Sequence, residues 1–303
     1  MKRLIKYCSV IVLFLVSACS DPSPTELIFD NTPVSENIDV EIISSNPDEV
    51  VYSTGYDSTG IVRPIPQHLS NIYVSGIKNS SGNNTERINY YSAVFFDGSQ
   101  PIYNPHGRKL GFKTNNMGKV FFNNIAAKEV SHIVHIIEPG RVRDEIAGIK
   151  YEYYQRNSPN QFPFNSGILF TLMPVQMRDR KIEFEIQTPK EITGQVIRSG
   201  SRVIGDLKLL LKWDNKGDGN IEVIIGGIAK GRNDPFPLIR IKTSDDGELV
   251  IPASITKSIP FQNYNEIVFS FIRQTIKNDS SLSGLNDPNV IAQSIHNIKV
   301  VIQ

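Results

Sequence analysis

Lys181-Ile182-Glu183-Phe184-Glu185-Ile186-Gln187 alternates without a break, with Ile182, Phe184 and Ile186 on one side and Glu183, Glu185 and Gln187 on the other. A period of two is the repeat of a β-strand that turns one face to a core and the other to water. The same pattern returns at Leu207 to Trp213, where Leu207, Leu209, Leu211 and Trp213 share a side and Lys208 and Lys212 take the other. It closes the chain as well, where Ile298, Val300 and Ile302 alternate with Lys299 and Gln303. Asn215-Lys216-Gly217-Asp218-Gly219-Asn220 predicts a hairpin turn that returns Ile221 to Ile225 antiparallel beside Leu207 to Trp213.

Further strands are expected at residues 40–44, 50–53, 72–78, 89–96, 119–123, 132–137, 150–155, 168–172, 238–242, 248–251 and 266–273, and no stretch sustains the period of an amphipathic helix. Many short strands punctuated by 21 Gly and 18 Pro predict an all-β fold of packed sandwiches. The pattern breaks at Met173-Pro174-Val175-Gln176-Met177-Arg178-Asp179-Arg180, where a proline cannot donate to a ladder. Two tandem β-sandwich domains are therefore expected, residues 38–175 and 176–303, behind a proline-rich extended tether at 19–37. With its Trp213 strand, the Asp-Asp-Gly-Glu-Leu-Val-Ile-Pro run at Asp245 to Pro252 and a Phe-rich strand near Phe269, the second domain resembles the immunoglobulin-like accessory sandwiches of bacterial envelope proteins. That resemblance carries no activity with it.

The 303 residues hold 32 Lys plus Arg against 31 Asp plus Glu, so no basic excess points to nucleic acid. Both cysteines, Cys8 and Cys19, stand in the first twenty residues, which excludes a disulfide framework for the body. Lys2, Arg3 and Lys6 precede an apolar run from Tyr7 to Val16, too short to span a bilayer, and then come Ser17, Ala18 and Cys19. Residues 1–18 are accordingly expected to be a signal peptide. Val16-Ser17-Ala18-Cys19 resembles the lipobox of bacterial lipoproteins. The resemblance implies diacylglycerol on the Cys19 sulfur, cleavage before Cys19, and a further acyl chain such as palmitate on the new amino terminus, anchoring the chain to a membrane without spanning it. Ser20 after the cysteine implies the outer membrane, with the leaflet left open. Loss of Lys2, Arg3 and Lys6 leaves a mature formal charge of 29 − 31 = −2.

Motifs for chemistry are sparse. Asp214-Asn215-Lys216-Gly217-Asp218-Gly219-Asn220 has the start of a calcium loop, but Lys216 stands at the third ligand position and Ile225 at the twelfth. It is read as a turn, with Asp214 and Asp218 the residues to hold a cation if one binds. His132 and His135 fall on a β-branched stretch, where residues three apart face opposite ways and share no metal, whereas His132 and Glu138 share a side. There is no G-x-S-x-G elbow, P-loop, dinucleotide fingerprint or zinc cluster, so no cofactor is expected. Among the aromatic clusters, Tyr151, Tyr153 and Arg156 form the expected contact patch, against the plainer reading that alternate members fill the core. The expected function is that of a non-catalytic envelope lipoprotein that binds or scaffolds an envelope protein. The alternatives are glycan capture and a hydrolase with an inconspicuous carboxylate pair.

Overall fold

The computed structural model describes residues 38–42, 68–107, 109–138, 141–157, 161–175, 180–201, 206–214, 217, 219–229, 235–251, 253–259, 263–278 and 284–301. The signal segment, Cys19, the tether, the strand expected at 50–53 and Asp218 lie outside the described residues. In chain order the strands are β1 (Asp39–Ile42), β2 (Ser70–Ser81), β3 (Asn84–Tyr103), β4 (Lys109–Thr114), β5 (Gly118–Phe122), β6 (Ile125–Ala126), β7 (Lys128–Glu138), β8 (Arg141–Arg156), β9 (Gly167–Pro174), β10 (Ile182–Gln187), β11 (Gly194–Ser199), β12 (Lys208–Trp213), β13 (Asn220–Ala229), β14 (Phe236–Ser244), β15 (Glu248–Ile251), β16 (Tyr264–Lys277) and β17 (Pro288–Val300). One short helix, α1 (Ala253–Ser258), follows β15. No helix among the described residues is long and apolar enough to cross a membrane.

The strands form three sheets. A ten-stranded sheet runs β1-β14-β13-β16-β17-β2-β3-β8-β7, with β4 paired to β3; a four-stranded sheet runs β10-β9-β5-β6, and a three-stranded sheet β11-β12-β15. β17 and β2 run parallel, from Pro288 opposite Ser70 to Lys299 opposite Ser81.

Alternation along β17 shows how one large sheet serves two cores. Val290 and Ala292 enter a first core, where the four-stranded sheet contributes Val120, Phe122, Phe170, Leu172 and Ile186 and the large sheet Tyr91, Phe95 and Tyr151. Ser294 and His296, next on the same side, meet the chain crossing from β10 to β11. Ile298 and Val300, still on that side, pack against a second core, between Leu209, Leu211, Trp213, Leu249 and Ile251 of the three-stranded sheet and Ile221, Val223, Ile225, Phe269 and Phe271 of the large one. Both small sheets therefore cover one and the same face.

Two expectations change. The boundary expected at 175/176 falls between β9 and β10, which pair antiparallel as edge neighbours of one sheet, and the large sheet draws β2, β3, β7 and β8 from one side of it and β13, β14, β16 and β17 from the other. Two tandem sandwiches give way to two sandwiches on a shared sheet. The hairpin expected between β12 and β13 does not form either: β12 pairs with β11 and β15, and β13 with β14 and β16. The reason is burial. Leu209, Leu211 and Trp213 must face the same apolar space as Ile221, Val223 and Ile225, and strands that face each other across a core belong to opposite sheets.

Candidate functional site

The densest polar cluster lies where the two sandwiches meet. Arg273 continues the inward row Phe269, Phe271 of β16, and its guanidinium grips Asp245 with two bonds, Nε to Oδ2 at 2.7 Å and Nη2 to Oδ1 at 2.8 Å. The remaining donors reach the carbonyls of Glu191 (2.9 Å) and Asp214 (2.8 Å), while Trp213 Nε1 donates to Asp245 Oδ1 at 2.9 Å. Both side chains are almost wholly buried, so each charge depends on the other and on these extra bonds. A Cβ at Gly217 would stand 2.1 Å from Asp245 Oδ2, so the loop that crosses over the pair needs glycine there. Within the stretch of calcium-like spacing, Gly217 thus lies against the ion pair. Asp214 Oδ1 accepts the Thr193 amide (2.8 Å), and among the described residues no group of three or more His, Cys, Asp or Glu is placed to hold a metal.

The crossing segment before β11 is bolted to β17. Ile192 N–H donates to Ser294 Oγ (2.8 Å) and Gly194 N–H to His296 Nδ1 (2.8 Å). Because Nδ1 accepts, the ring proton of neutral His296 resides on Nε2, which faces Ser80 Oγ at 2.9 Å. Burial, helped by the positive charges of Lys78 and Arg87, lowers the His296 pKa to about 4.

The aromatic trio expected as a contact patch divides between two faces. Tyr151 is 1 % exposed; its hydroxyl accepts the Met117 and Gly118 amides and donates to Asn116 Oδ1, and its ring meets Phe95 edge-on. Burial pushes its phenol pKa up, against the pull of the two amides. Tyr153 stacks on Tyr91 with ring centroids 5.3 Å apart and packs against the first core. Arg156, at the opposite parity of the strand, lies exposed on the other face, paired with Glu86 at 2.7 Å. The trio is no patch: period two sends Tyr151 and Tyr153 inward and Arg156 outward.

That other face of the large sheet has an apolar cluster of its own. Ile77, Ile88, Ile224, Ile272 and Ile295 cluster there at 1–2 % exposure, with Tyr90 packed against them. Amides flank them across the parallel seam: Asn297 Nδ2 donates to Asn79 Oδ1 (2.9 Å), Asn289 Nδ2 to Asn71 Oδ1 (3.1 Å), and Ser75 Oγ to Gln293 Oε1 (3.3 Å). Ser92 Oγ, Asn297 Oδ1 and His132 Nδ1 on this side are buried with no hydrogen-bond partner. Burial, with Lys150 nearby, lowers the His132 pKa to about 4, and Phe96 meets its ring edge-on at 5.7 Å. His68 pairs with Asp287 at 2.9 Å on the surface. No sequence motif announced the Arg273–Asp245 cluster, although a cation continuing an inward row of phenylalanines is a signal that alternation alone can expose.

No family model matches the chain, and no curated protein matches it. Among solved structures, the yeast delta-COP-I mu-homology domain aligns over 78 % of this chain and all of its own, at 10 % identity and a TM-score of 0.25. The same yeast domain complexed with a Dsl1 WxWxV peptide aligns over 77 % of this chain and all of its own, at 9 % identity and a TM-score of 0.26.

Proposed function

We propose that the chain is a lipid-anchored bacterial envelope protein that binds or scaffolds a partner at the membrane surface and carries no catalytic centre. The observation that carries this reading is Val16-Ser17-Ala18-Cys19 behind a charged and then apolar leader. It is supported by how the body spends its buried polar groups. Arg273, Asp245, His296 and Tyr151 are each consumed in bonds that tie strands to loops, which describes a rigid platform. Capture of glycans has less to stand on, because Tyr151, which was to supply the aromatic platform, lies inside the first core.

Cys19→Ala tests the anchor: incorporation of a fatty-acid probe is expected in the natural chain and lost in the variant, and labelling that survives the substitution sinks the reading. Crosslinking the lipidated protein in its own membranes, followed by mass spectrometry, tests the role. A stoichiometric envelope protein supports a scaffold, and a chain that comes down alone with polysaccharide overturns it in favour of glycan capture.

A further inference from the structure

The outward side of the three-stranded sheet bears an apolar row that crosses all of its strands. Ile197 of β11 stands opposite Leu210 of β12, and Leu210 opposite Val250 of β15. Ile197 is 38 % and Val250 58 % exposed, while the alternate residues Val196, Leu209, Leu211, Leu249 and Ile251 supply the second core. Lysines border the row on both sides, Lys208 two residues before Leu210 and Lys212 two residues after it. Glu248 is the carboxylate on this outward side, and it sits 3.5 Å from Lys212. An apolar row flanked by two lysines suits the boundary between acyl chains and anionic headgroups.

The place where the chain enters the fold selects the same sandwich. Ile38 and Val40, the first apolar residues described, pack against the second core, and β1 adds to β14 at that end of the large sheet. Eighteen residues separate Cys19 from Ile38, a span of at most about 65 Å when fully extended. The chain from the lipidated cysteine therefore enters the described fold at the second sandwich. The first sandwich's outer sheet face differs, since its edge strand presents Glu183 and Glu185 to solvent.

We infer that the Ile197–Leu210–Val250 row rests on the phospholipid surface, holding the second sandwich against the bilayer and turning the first toward partners. This rests on the lipid-anchor reading. The test uses the full chain purified from membranes and reconstituted in vesicles of phosphatidylethanolamine and phosphatidylglycerol, with Val250→Cys carrying an environment-sensitive fluorophore. Met173→Cys, on the outer face of the four-stranded sheet, is the control. A headgroup-attached nitroxide is expected to quench the label at 250 about threefold more than at 173, and Lys208→Glu and Lys212→Glu each to weaken surface association about fivefold. Equal quenching at the two positions overturns the inference while fatty-acid labelling at Cys19 leaves the anchor standing. Energy transfer between labels at 250 on different copies, without nitroxide quenching, assigns the row to self-association and overturns it too. If Cys19 takes no acyl chain, the anchor reading fails by itself, and quenching at 250 on added vesicles still decides the inference.

Discussion

The two sandwiches share one sheet and differ in what fills them. The first core is built from rings: Tyr91, Phe95, Phe122, Tyr151, Phe162 and Phe170 are all buried, with centroid spacings such as 5.6 Å between Phe122 and Phe170. The second is mostly Ile, Leu and Val, and it closes at its edge with a buried ion pair and the indole that serves it. The rings of the first core pack in tilted and edge-on arrangements, and the Tyr151 hydroxyl anchors one of them to the Met117 and Gly118 amides. In the second core the Arg273–Asp245 pair with its carbonyl partners ties β16 to the segments before β11 and after β12. The contrast teaches that one shared face can be filled by rings at one end and by aliphatic side chains closed with a buried ion pair at the other.

Arg273→Met should break this comparison most sharply. It leaves Asp245 buried without its partner, and a loss of about 3–5 kcal/mol is expected in urea unfolding. Replacing both members, as in Asp245→Leu with Arg273→Met, should recover most of that loss; a double variant as weak as the single would show that the pair does more than neutralise itself.

Acid should act next, at the junction through His296 and on the opposite face of the large sheet through His132. His296 and His132 have native pKa values near 4, below the ordinary value of 6.5, so the unfolded chain takes up protons first. Their contribution is complete above pH 6.5 and declines as the pH falls toward 4, by up to roughly 3 kcal/mol for each ring. His132→Leu should flatten that decline at no cost at neutral pH, because His132 Nδ1 has no partner to lose. Unfolding curves at pH 7 and 4.5 check both parts, and an unchanged acid slope would mean that His132 stays solvated.

In the ring-built core, Tyr151→Phe keeps the packing but takes the acceptor from the Met117 amide, while the Gly118 amide keeps Asn116 Oδ1 at 2.9 Å, for an expected loss of about 1–3 kcal/mol. A loss within error would place the Met117 amide in water. Smallest of all, Val250→Ser on the outward row should shift stability by less than about 0.5 kcal/mol, since it touches neither core. A larger thermal shift would show that the row packs within the folded chain.

Alternation made most strands of the fold legible, because a half-buried strand needs it, and β10, β12, β15 and β16 lie where the pattern placed them. It failed for the first two-thirds of β17, where Asn289, Gln293, Ser294, His296 and Asn297 replace the expected apolar residues. Those polar residues face neighbours across the parallel seam and the crossing segment, partners more than a hundred residues away in sequence. β4 and β11 were missed as well. β11 begins at Gly194 and carries a single branched pair, Val196 and Ile197, and its place comes from pairing with β12.

By itself the sequence determined the all-β class and the inward and outward sides of the strands that alternate clearly, such as β10 and β12, since local sterics and the pleat are short-range. Tertiary structure alone decided that β12 and β13 oppose each other across a core, that one sheet backs two cores, and that Arg273 meets Asp245 and Trp213. Each of these depends on segments far apart in the chain competing for the same buried face, and that competition is settled only when the whole sheet has formed.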